Sequence, residues 1–117
     1  MIAEDELLVR LGLKTSIDWE KNGFSLIGEC ENGIDTLNKL RQYRPNILLL
    51  DVKMPGLTGL DVLEYIQKEE MDTKVIVITG LDDFDTVRAA LKLGALDYIH
   101  KPRLGSGELI EVLSKAK

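Results

Sequence analysis

Residues 46–51 have the sequence NILLLD, in which four aliphatic side chains in a row stand directly ahead of a carboxylate. A second apolar run, KVIVIT, occupies residues 74–79 and is rich in β-branched side chains, which favour strands. Short runs without polar alternation are typical of strands buried on both faces of a sheet. Both segments are therefore predicted to be central strands.

Weaker patterns on either side of these runs indicate three more strands, at residues 2–3, 25–30 and 96–100. Between the strands, apolar residues recur at the three-to-four spacing of a helix with one buried face. Five helices are indicated, marked by Leu7, Leu8 and Leu11; by Ile34, Leu37 and Leu40; by Leu60, Leu63 and Ile66; by Phe84, Val87 and Leu91; and by Leu109, Val112 and Leu113. Pro45 follows the second helix, Gly94 can close the fourth, and Ser106 can cap the fifth.

Strands and helices that alternate in this way predict an α/β fold with a doubly wound parallel sheet. Each parallel pair of strands needs a right-handed crossover connection, and the helices supply those connections on both faces. The chain has 117 residues and shows neither an internal repeat nor a low-complexity linker, so residues 1–117 are predicted to form one domain.

The composition disfavours several classes of function. A net charge of -5 opposes binding to phosphate backbones, so no direct nucleic-acid contact is expected. Cys30 has no second cysteine to pair with, and a single histidine, His100, makes zinc sites and Cys/His catalysis unpromising. The first residues are acidic rather than basic, and no apolar run approaches the ~18 residues that span a bilayer. A cytoplasmic protein without a membrane segment is expected.

Polar side chains follow the predicted strands at their carboxyl ends: Glu4 and Asp5, Asp51, Thr79, and Lys101. Ligands of such sheets bind at this edge, where the strand ends meet. Carboxylates are suitable ligands for Mg²⁺, and Glu4, Asp5 and Asp51 can supply them. A carboxylate can also attack phosphorus while a metal and a lysine neutralise the transferred oxygens. Asp51 is the central candidate for that role.

Four segments together resemble the receiver domain of bacterial two-component response regulators: IAEDE at residues 2–6, LLLDVKMPG at 48–56, VITG at 77–80 and ALDYIHKP at 95–102. The resemblance covers essentially the whole chain. It implies a CheY-like, flavodoxin-like fold of five parallel strands in the order 2-1-3-4-5. The first strand is shorter than is usual for that family.

The resemblance also implies roles for the residues at the strand ends. Asp51 would accept a phosphoryl group from the phosphohistidine of a sensor histidine kinase. Asp5, Asp51 and the backbone carbonyl of Lys53 would bind Mg²⁺, and Glu4 would reach the metal through water. The domain would catalyse only its own phosphorylation and dephosphorylation, so it is not expected to be an enzyme in the usual sense.

In the same family, a lysine, a threonine and an aromatic residue carry the switch. Lys101 would pair with one phosphoryl oxygen, and the Thr79 hydroxyl would turn toward another. Tyr98 would change rotamer as Thr79 moves. The bond between Lys101 and Pro102 would be cis, a geometry that costs little before proline. Apolar Leu81, beside the site, is expected to slow the attack of water on the phospho-aspartate, so that Leu81→Asn shortens the phosphoryl lifetime.

Two further segments, IDWEKNGF at residues 17–24 and TGLDDFD at 79–85, are similar to receivers that carry an AraC-type helix-turn-helix output domain. DNA binding and transcription regulation would then belong to a C-terminal output domain of a longer protein. A homodimer is compatible with this interpretation.

Two other functions stay open at this point. The first is a phosphatase or phosphotransferase with Asp51 as nucleophile, although such enzymes usually carry a second acid two residues later, where Lys53 stands. The second is a phosphorylation-independent interaction domain that keeps the fold without the switch. The short first strand is the main support for it.

Overall fold

The computed structural model describes residues 1–80, 84–101 and 107–117. Strands and helices alternate along these residues, as the sequence predicts. In chain order the elements are β1 (Ile2–Ala3), α1 (Leu7–Ser16), β2 (Glu29–Cys30), α2 (Gly33–Tyr43), β3 (Ile47–Asp51), α3 (Gly59–Lys68), β4 (Lys74–Thr79), α4 (Phe84–Lys92), β5 (Asp97–His100) and α5 (Glu108–Ala116).

The strands form one parallel sheet in the order β2-β1-β3-β4-β5. This confirms the predicted α/β class, the doubly wound topology and the short first strand. Although β1 has only two residues, it lies inside the sheet between β2 and β3. Hydrogen bonds from the Glu4 amide to the Cys30 carbonyl, at 3.0 Å, and from the Leu49 amide to the Met1 carbonyl, at 2.9 Å, extend its pairing at both ends.

Two strands are shorter than the sequence predicts. The second was expected over residues 25–30 but comprises only Glu29–Cys30, because the two-residue β1 offers a partner only to these two positions. The fifth was expected over residues 96–100 and begins at Asp97. Just before it, the Leu96 amide donates to the Val75 carbonyl at 2.8 Å.

The core lies on both faces of the sheet. One cluster of buried side chains, which includes Leu48, Leu50 and Val77, packs against α2, α3 and α4. The other, which includes Leu49 and Ile78, packs against α1 and α5. Alternate residues of β3 and β4 therefore point into two different apolar layers. This explains why both strands are apolar along nearly their whole length.

The buried face of α1 differs from the prediction. Leu7, Leu8 and Leu11 are 59%, 82% and 43% exposed. A second stripe of the same helix, with a spacing of four residues, faces the core: Val9, Leu13 and, just after the helix, Ile17. Both stripes satisfy helical periodicity, so the pattern alone could not choose between them.

Two other helices also place a predicted core residue in solvent. In α2, Leu40 is buried but Ile34 is exposed, and in α4, Phe84 is 81% exposed and Leu91 is 43% exposed. The side chains that α4 buries are those of Val87 and Ala90. The reason is that only one side of each helix contacts the sheet, and the rotation of the helix about its axis decides which residues lie on that side. The predicted faces of α3 and α5 are confirmed.

The chain reversals after α2 and α4 agree with the sequence. Arg44 ends α2 in the left-handed region, with φ of 44°, and Pro45 follows it. Gly94 has φ of 99°, a conformation that glycine adopts at little cost, and it lies just after α4. Ser106, the predicted cap of α5, lies outside the described residues.

Candidate functional site

The parallel sheet brings several polar residues to one edge. Glu4 follows β1, Asp51 ends β3, Thr79 ends β4, and Lys101 follows β5. Glu4 and Asp51 are buried, with exposed fractions of 0% and 1%, although both are carboxylic acids. Buried acids are uncommon unless they are paired or bind a cation, so this edge of the sheet is the candidate functional site.

Lys101 connects the acidic residues of the site. Its Nζ lies 3.2 Å from Glu4 Oε1, 3.3 Å from Glu6 Oε1 and 3.5 Å from Asp51 Oδ2. The pairing joins the end of β5 to the ends of β1 and β3, with β4 standing between β3 and β5 in the sheet. One ammonium group therefore faces three carboxylates, so negative charge is in excess.

The Asp51 carboxylate is held by the backbone that follows it. The Lys53 amide donates to Asp51 Oδ1 at 3.1 Å. The first residue of α3 packs closely on the turn that follows Asp51. A Cβ on Gly59 would lie 2.6 Å from the Val52 Cα and 2.7 Å from the Asp51 carbonyl oxygen. The glycine allows the helix to approach, and this approach helps to fix the direction of Asp51.

Three buried carboxylate oxygens at the site lack hydrogen bonds within the described residues: Asp51 Oδ2 and both oxygens of Glu4. Of these, Asp51 Oδ2 and Glu4 Oε1 face the Lys101 ammonium as ion pairs. The carboxylates of Glu4, Asp5 and Glu6 also offer oxygens that lie within 4.8 Å of one another. Unbonded buried oxygens are costly, and a hard divalent cation would satisfy them. The donor set, made entirely of oxygen, fits Mg²⁺.

The pKa values of the acids reflect burial and crowding. Burial, together with the neighbouring Asp51 carboxyl, raises the pKa of Glu4 to about 8. The same two causes raise the pKa of Asp5. At Asp51, burial acts to raise the pKa, but contacts with Glu4, the Lys53 amide and Lys101 outweigh it and hold the pKa below its usual range. The electrostatics of the site therefore favour the ionised form of Asp51.

The same electrostatics act on the lysine of the site. Burial acts to lower the pKa of Lys101, but the Asp51 and Glu4 carboxylates outweigh burial and raise it. Lys101 therefore carries a positive charge at neutral pH, next to the Asp51 carboxylate.

Thr79 and Tyr98 are linked through a residue to which the sequence interpretation gave no role. His100 lies directly opposite Thr79 in the β4–β5 register, and its Nδ1 is 3.2 Å from Thr79 Oγ1 and 3.3 Å from the Gly80 carbonyl oxygen. The Tyr98 ring packs edge-on against the His100 ring, with 5.4 Å between the centroids. His100 therefore contacts both predicted switch residues.

Arg10 was also missed by the sequence interpretation. Its side chain is buried under the loop after β1, where Nη1 donates to the Glu4 carbonyl oxygen at 2.8 Å. It also lies 3.4 Å from carboxylate oxygens of Glu29 and Glu31. A basic residue one helical turn after the acidic segment was the available signal.

Some predicted site features stay predictions. Lys53 contacts Asp51 through its amide, and the metal-binding role of its carbonyl is untested. Pro102, predicted to follow a cis bond, and Leu81, predicted to protect the phospho-aspartate, lie outside the described residues.

Comparison with known proteins identifies the family. Residues 1–114 match the response regulator receiver domain. The chain therefore belongs to the response regulator receiver domain family, as the sequence motifs indicate. In the part of the chain that the structure describes, no helix has the length and apolar character to cross a membrane.

Relatives with curated names and solved structures are also named response regulators or transcriptional regulators. The chain is 33% identical over 102 residues to the transcriptional regulatory protein HptR of Staphylococcus aureus, an alignment that covers 87% of this chain and 40% of HptR. It is 32% identical to the crystal structure of a LuxR-family DNA-binding response regulator from Staphylococcus aureus, with a TM-score of 0.86 and coverage of 98% and 94% of the two chains.

A third similar protein is a two-component transcriptional regulator AraC from Clostridium phytofermentans ISDg. Its crystal structure is 32% identical, with a TM-score of 0.82 and coverage of 98% of this chain and 87% of that one. The chain thus spans about two fifths of the length of HptR and most of the length of these two solved structures.

Proposed function

We propose that Asp51 is the phosphoacceptor of a two-component receiver and that its phosphorylation switches the surface around Thr79 and Tyr98. The observation that carries the proposal is the buried Asp51 carboxylate, whose Oδ2 has no hydrogen bond among the described residues and lies 3.5 Å from the Lys101 ammonium. An ionised, oriented carboxylate beside a fixed cation is suited to nucleophilic attack on phosphorus.

In the proposed reaction, Asp51 Oδ2 forms a bond to the phosphorus atom of a phosphohistidine on a sensor kinase. The bond from phosphorus to the imidazole nitrogen breaks, and the electron pair of that bond stays on the imidazole. Lys101 stabilises the negative charge on the transferred oxygens. The Lys53 amide holds the other oxygen of Asp51, so Oδ2 keeps its direction during attack.

Mg²⁺ is the cofactor that we propose for this site. Glu4, Asp5, Asp51 and the backbone carbonyl of Lys53 would hold it, Glu4 by way of water. When bound, the ion neutralises charge on the carboxylates and on the phosphoryl oxygens. The buried oxygens of Glu4 and Asp51 that lack hydrogen bonds among the described residues support this assignment.

We propose that the output of the switch is transcription. The relative HptR is named a transcriptional regulatory protein, and one solved neighbour is a DNA-binding response regulator. The chain spans 40% of the length of HptR, so most of HptR lies outside the aligned part. The similarity to the AraC regulator of Clostridium phytofermentans supports, together with residues 17–24 and 79–85, an output domain of the AraC type.

Intact mass after incubation with acetyl phosphate and Mg²⁺ tests the proposed function. We expect one phosphoryl addition, which is lost in Asp51→Asn and in a sample treated with a chelator. Asp72→Asn is the matched control, because Asp72 is exposed and precedes β4 at the opposite edge of the sheet. A folded protein that gains no phosphoryl group would favour the phosphorylation-independent domain. Turnover of a phosphate ester would favour the phosphatase.

A further inference from the structure

We propose that His100 is a positioning residue that holds the Thr79 hydroxyl in its resting position and so opposes the phosphorylated state. The proposal rests on the proposed function, because it concerns the move of Thr79 toward a phosphoryl group on Asp51. It begins from the register of β4 and β5, which sets Thr79 and His100 side by side at the ends of their strands.

The Thr79 hydroxyl is within hydrogen-bond distance of a ring nitrogen of His100. That nitrogen, His100 Nδ1, lies 3.2 Å from Thr79 Oγ1 and 3.3 Å from the Gly80 carbonyl oxygen. A carbonyl can only accept, so Nδ1 must carry a proton to bond to Gly80. When Nδ1 carries no proton, it instead accepts a hydrogen bond from the Thr79 hydroxyl.

These two arrangements have different consequences for Thr79. With Nδ1 unprotonated, the Thr79 proton is committed to His100 and is not available to a phosphoryl oxygen. With Nδ1 protonated, the Thr79 oxygen accepts and its own proton is free to be donated. In both arrangements the contact anchors Oγ1 toward β5, and a move toward Asp51 must break it.

His100 also connects this hydrogen bond to Tyr98. The two rings pack edge-on at 72°, and Tyr98 is 37% exposed at the surface of the sheet edge. A cavity of about 60 Å³ is lined by both rings together with Phe84 and Val87 of α4. This loose packing lets the rings shift without displacing the core, so a change at Thr79 can reach Tyr98 through His100.

Two variants separate the hydrogen bond from the ring packing. His100→Phe keeps an aromatic ring against Tyr98 but removes the nitrogen, whereas His100→Asn keeps a polar atom near the place of Nδ1 and removes the ring. One side-chain hydrogen bond shifts an equilibrium by roughly two- to tenfold. At a limiting concentration of acetyl phosphate, we expect His100→Phe to raise the ratio of phosphorylated to unphosphorylated protein by that factor. We expect His100→Asn to stay close to the wild type.

A double-mutant cycle tests whether the effect runs through Thr79. In a Thr79→Val background, where the hydroxyl is absent, His100→Phe should no longer change the phosphorylated ratio. Thermal melting of each variant confirms that it is folded before its labelling is compared. The proposal is overturned if His100→Phe behaves as wild type, if His100→Asn shifts as much as His100→Phe, or if the shift persists without the hydroxyl.

A second readout does not depend on phosphorylation. Three-bond couplings to the Thr79 Cγ2 report the χ1 populations of Thr79 in the unphosphorylated protein. We expect one dominant rotamer in the wild type and in His100→Asn, and averaging in His100→Phe. If neither the wild type nor any variant is labelled on Asp51 but the couplings change in this way, the proposed function fails, and the part of the inference that stands is that His100 anchors the Thr79 hydroxyl. Unchanged couplings in His100→Phe overturn the positioning role.

Discussion

The Arg10 guanidinium donates a 2.8 Å hydrogen bond from Nη1 to the backbone carbonyl of Glu4, and so ties α1 to the loop that carries the acidic residues. The same buried side chain lies 3.4 Å from carboxylate oxygens of Glu29 and Glu31 on the neighbouring strand and the residue after it. Because β1 has only two residues, the Arg10 hydrogen bond supplements the short strand pairing that holds the acidic loop in place.

Replacing Arg10 with methionine is expected to destabilise the protein. The change removes the Arg10 donor from the buried Glu4 carbonyl, and the loss of such a partner costs about 1–3 kcal/mol. Urea unfolding measures the loss in the free energy of unfolding. Lys14→Met is the control, since Lys14 pairs with Glu29 at 2.9 Å but both side chains are more than a third exposed. Such a pair contributes about 0–1 kcal/mol, so equal losses in the two variants would contradict the role given to Arg10.

Replacing Glu4 with glutamine is expected to stabilise the metal-free protein at neutral pH. The pKa of Glu4 rises from an ordinary 4.5 to about 8 on folding, mainly through burial. The contribution of Glu4 to the free energy of unfolding is therefore fully present below pH 4.5 and is lost as the pH rises toward 8. The reason is that the unfolded chain releases the Glu4 proton at a lower pH than the folded chain does. Glutamine does not ionise, so its advantage should grow across that range.

Thermal melting in the presence of a chelator, from pH 4 to pH 8, measures this difference. Glu6→Gln is the control, because the Glu6 side chain is 61% exposed and lies at a similar distance from Lys101. It should melt close to the wild type over the whole range. A gap between Glu4→Gln and the wild type that is constant with pH would show that burial of the charge is not its cause.

Magnesium is expected to stabilise the folded protein. An ion that binds only the native state at ten times its dissociation constant adds about 1.4 kcal/mol to the free energy of unfolding. The gain should disappear in Asp51→Asn and shrink in Glu4→Gln, because each change replaces a carboxyl group that we propose holds the ion. Urea unfolding with and without Mg²⁺ measures it, and the same gain in Asp51→Asn would place the ion elsewhere.

Replacing Gly59 with alanine is expected to disturb the turn that follows Asp51. The new Cβ would lie 2.6 Å from the Val52 Cα, so α3 or the turn after Asp51 must shift. Forced packing of this kind costs about 1–3 kcal/mol, and phosphorylation by acetyl phosphate should slow as well. Gly12→Ala is the matched control, because Gly12 lies within α1 with open space around it. That change should stabilise the protein by roughly 0.5–1 kcal/mol, and a loss in both variants would contradict the argument.

The central strands and the acidic edge of the site could be predicted from local sequence. Residues 47–50 and 75–78 are uniformly aliphatic, as is typical of a strand covered on both faces. Once the strands are parallel, their carboxyl ends must meet, which brings Asp51 close to Glu4 and Lys101. The length of β2 was not predictable in this way, because a strand extends only as far as its neighbour in the sheet offers partners.

Sequence by itself determined the parallel α/β class, the strand order implied by the family motifs, and the types of residue at the strand ends. Those features follow from apolar runs, spacing and side-chain chemistry, all of which are local. Only the tertiary structure decided which stripe of α1 faces the core, that Arg10 is buried beneath Glu4, and that His100 stands between Thr79 and Tyr98. Each of these features depends on how a helix or strand is rotated or aligned against an element distant in sequence. The periodicity of residues along the chain does not determine that alignment.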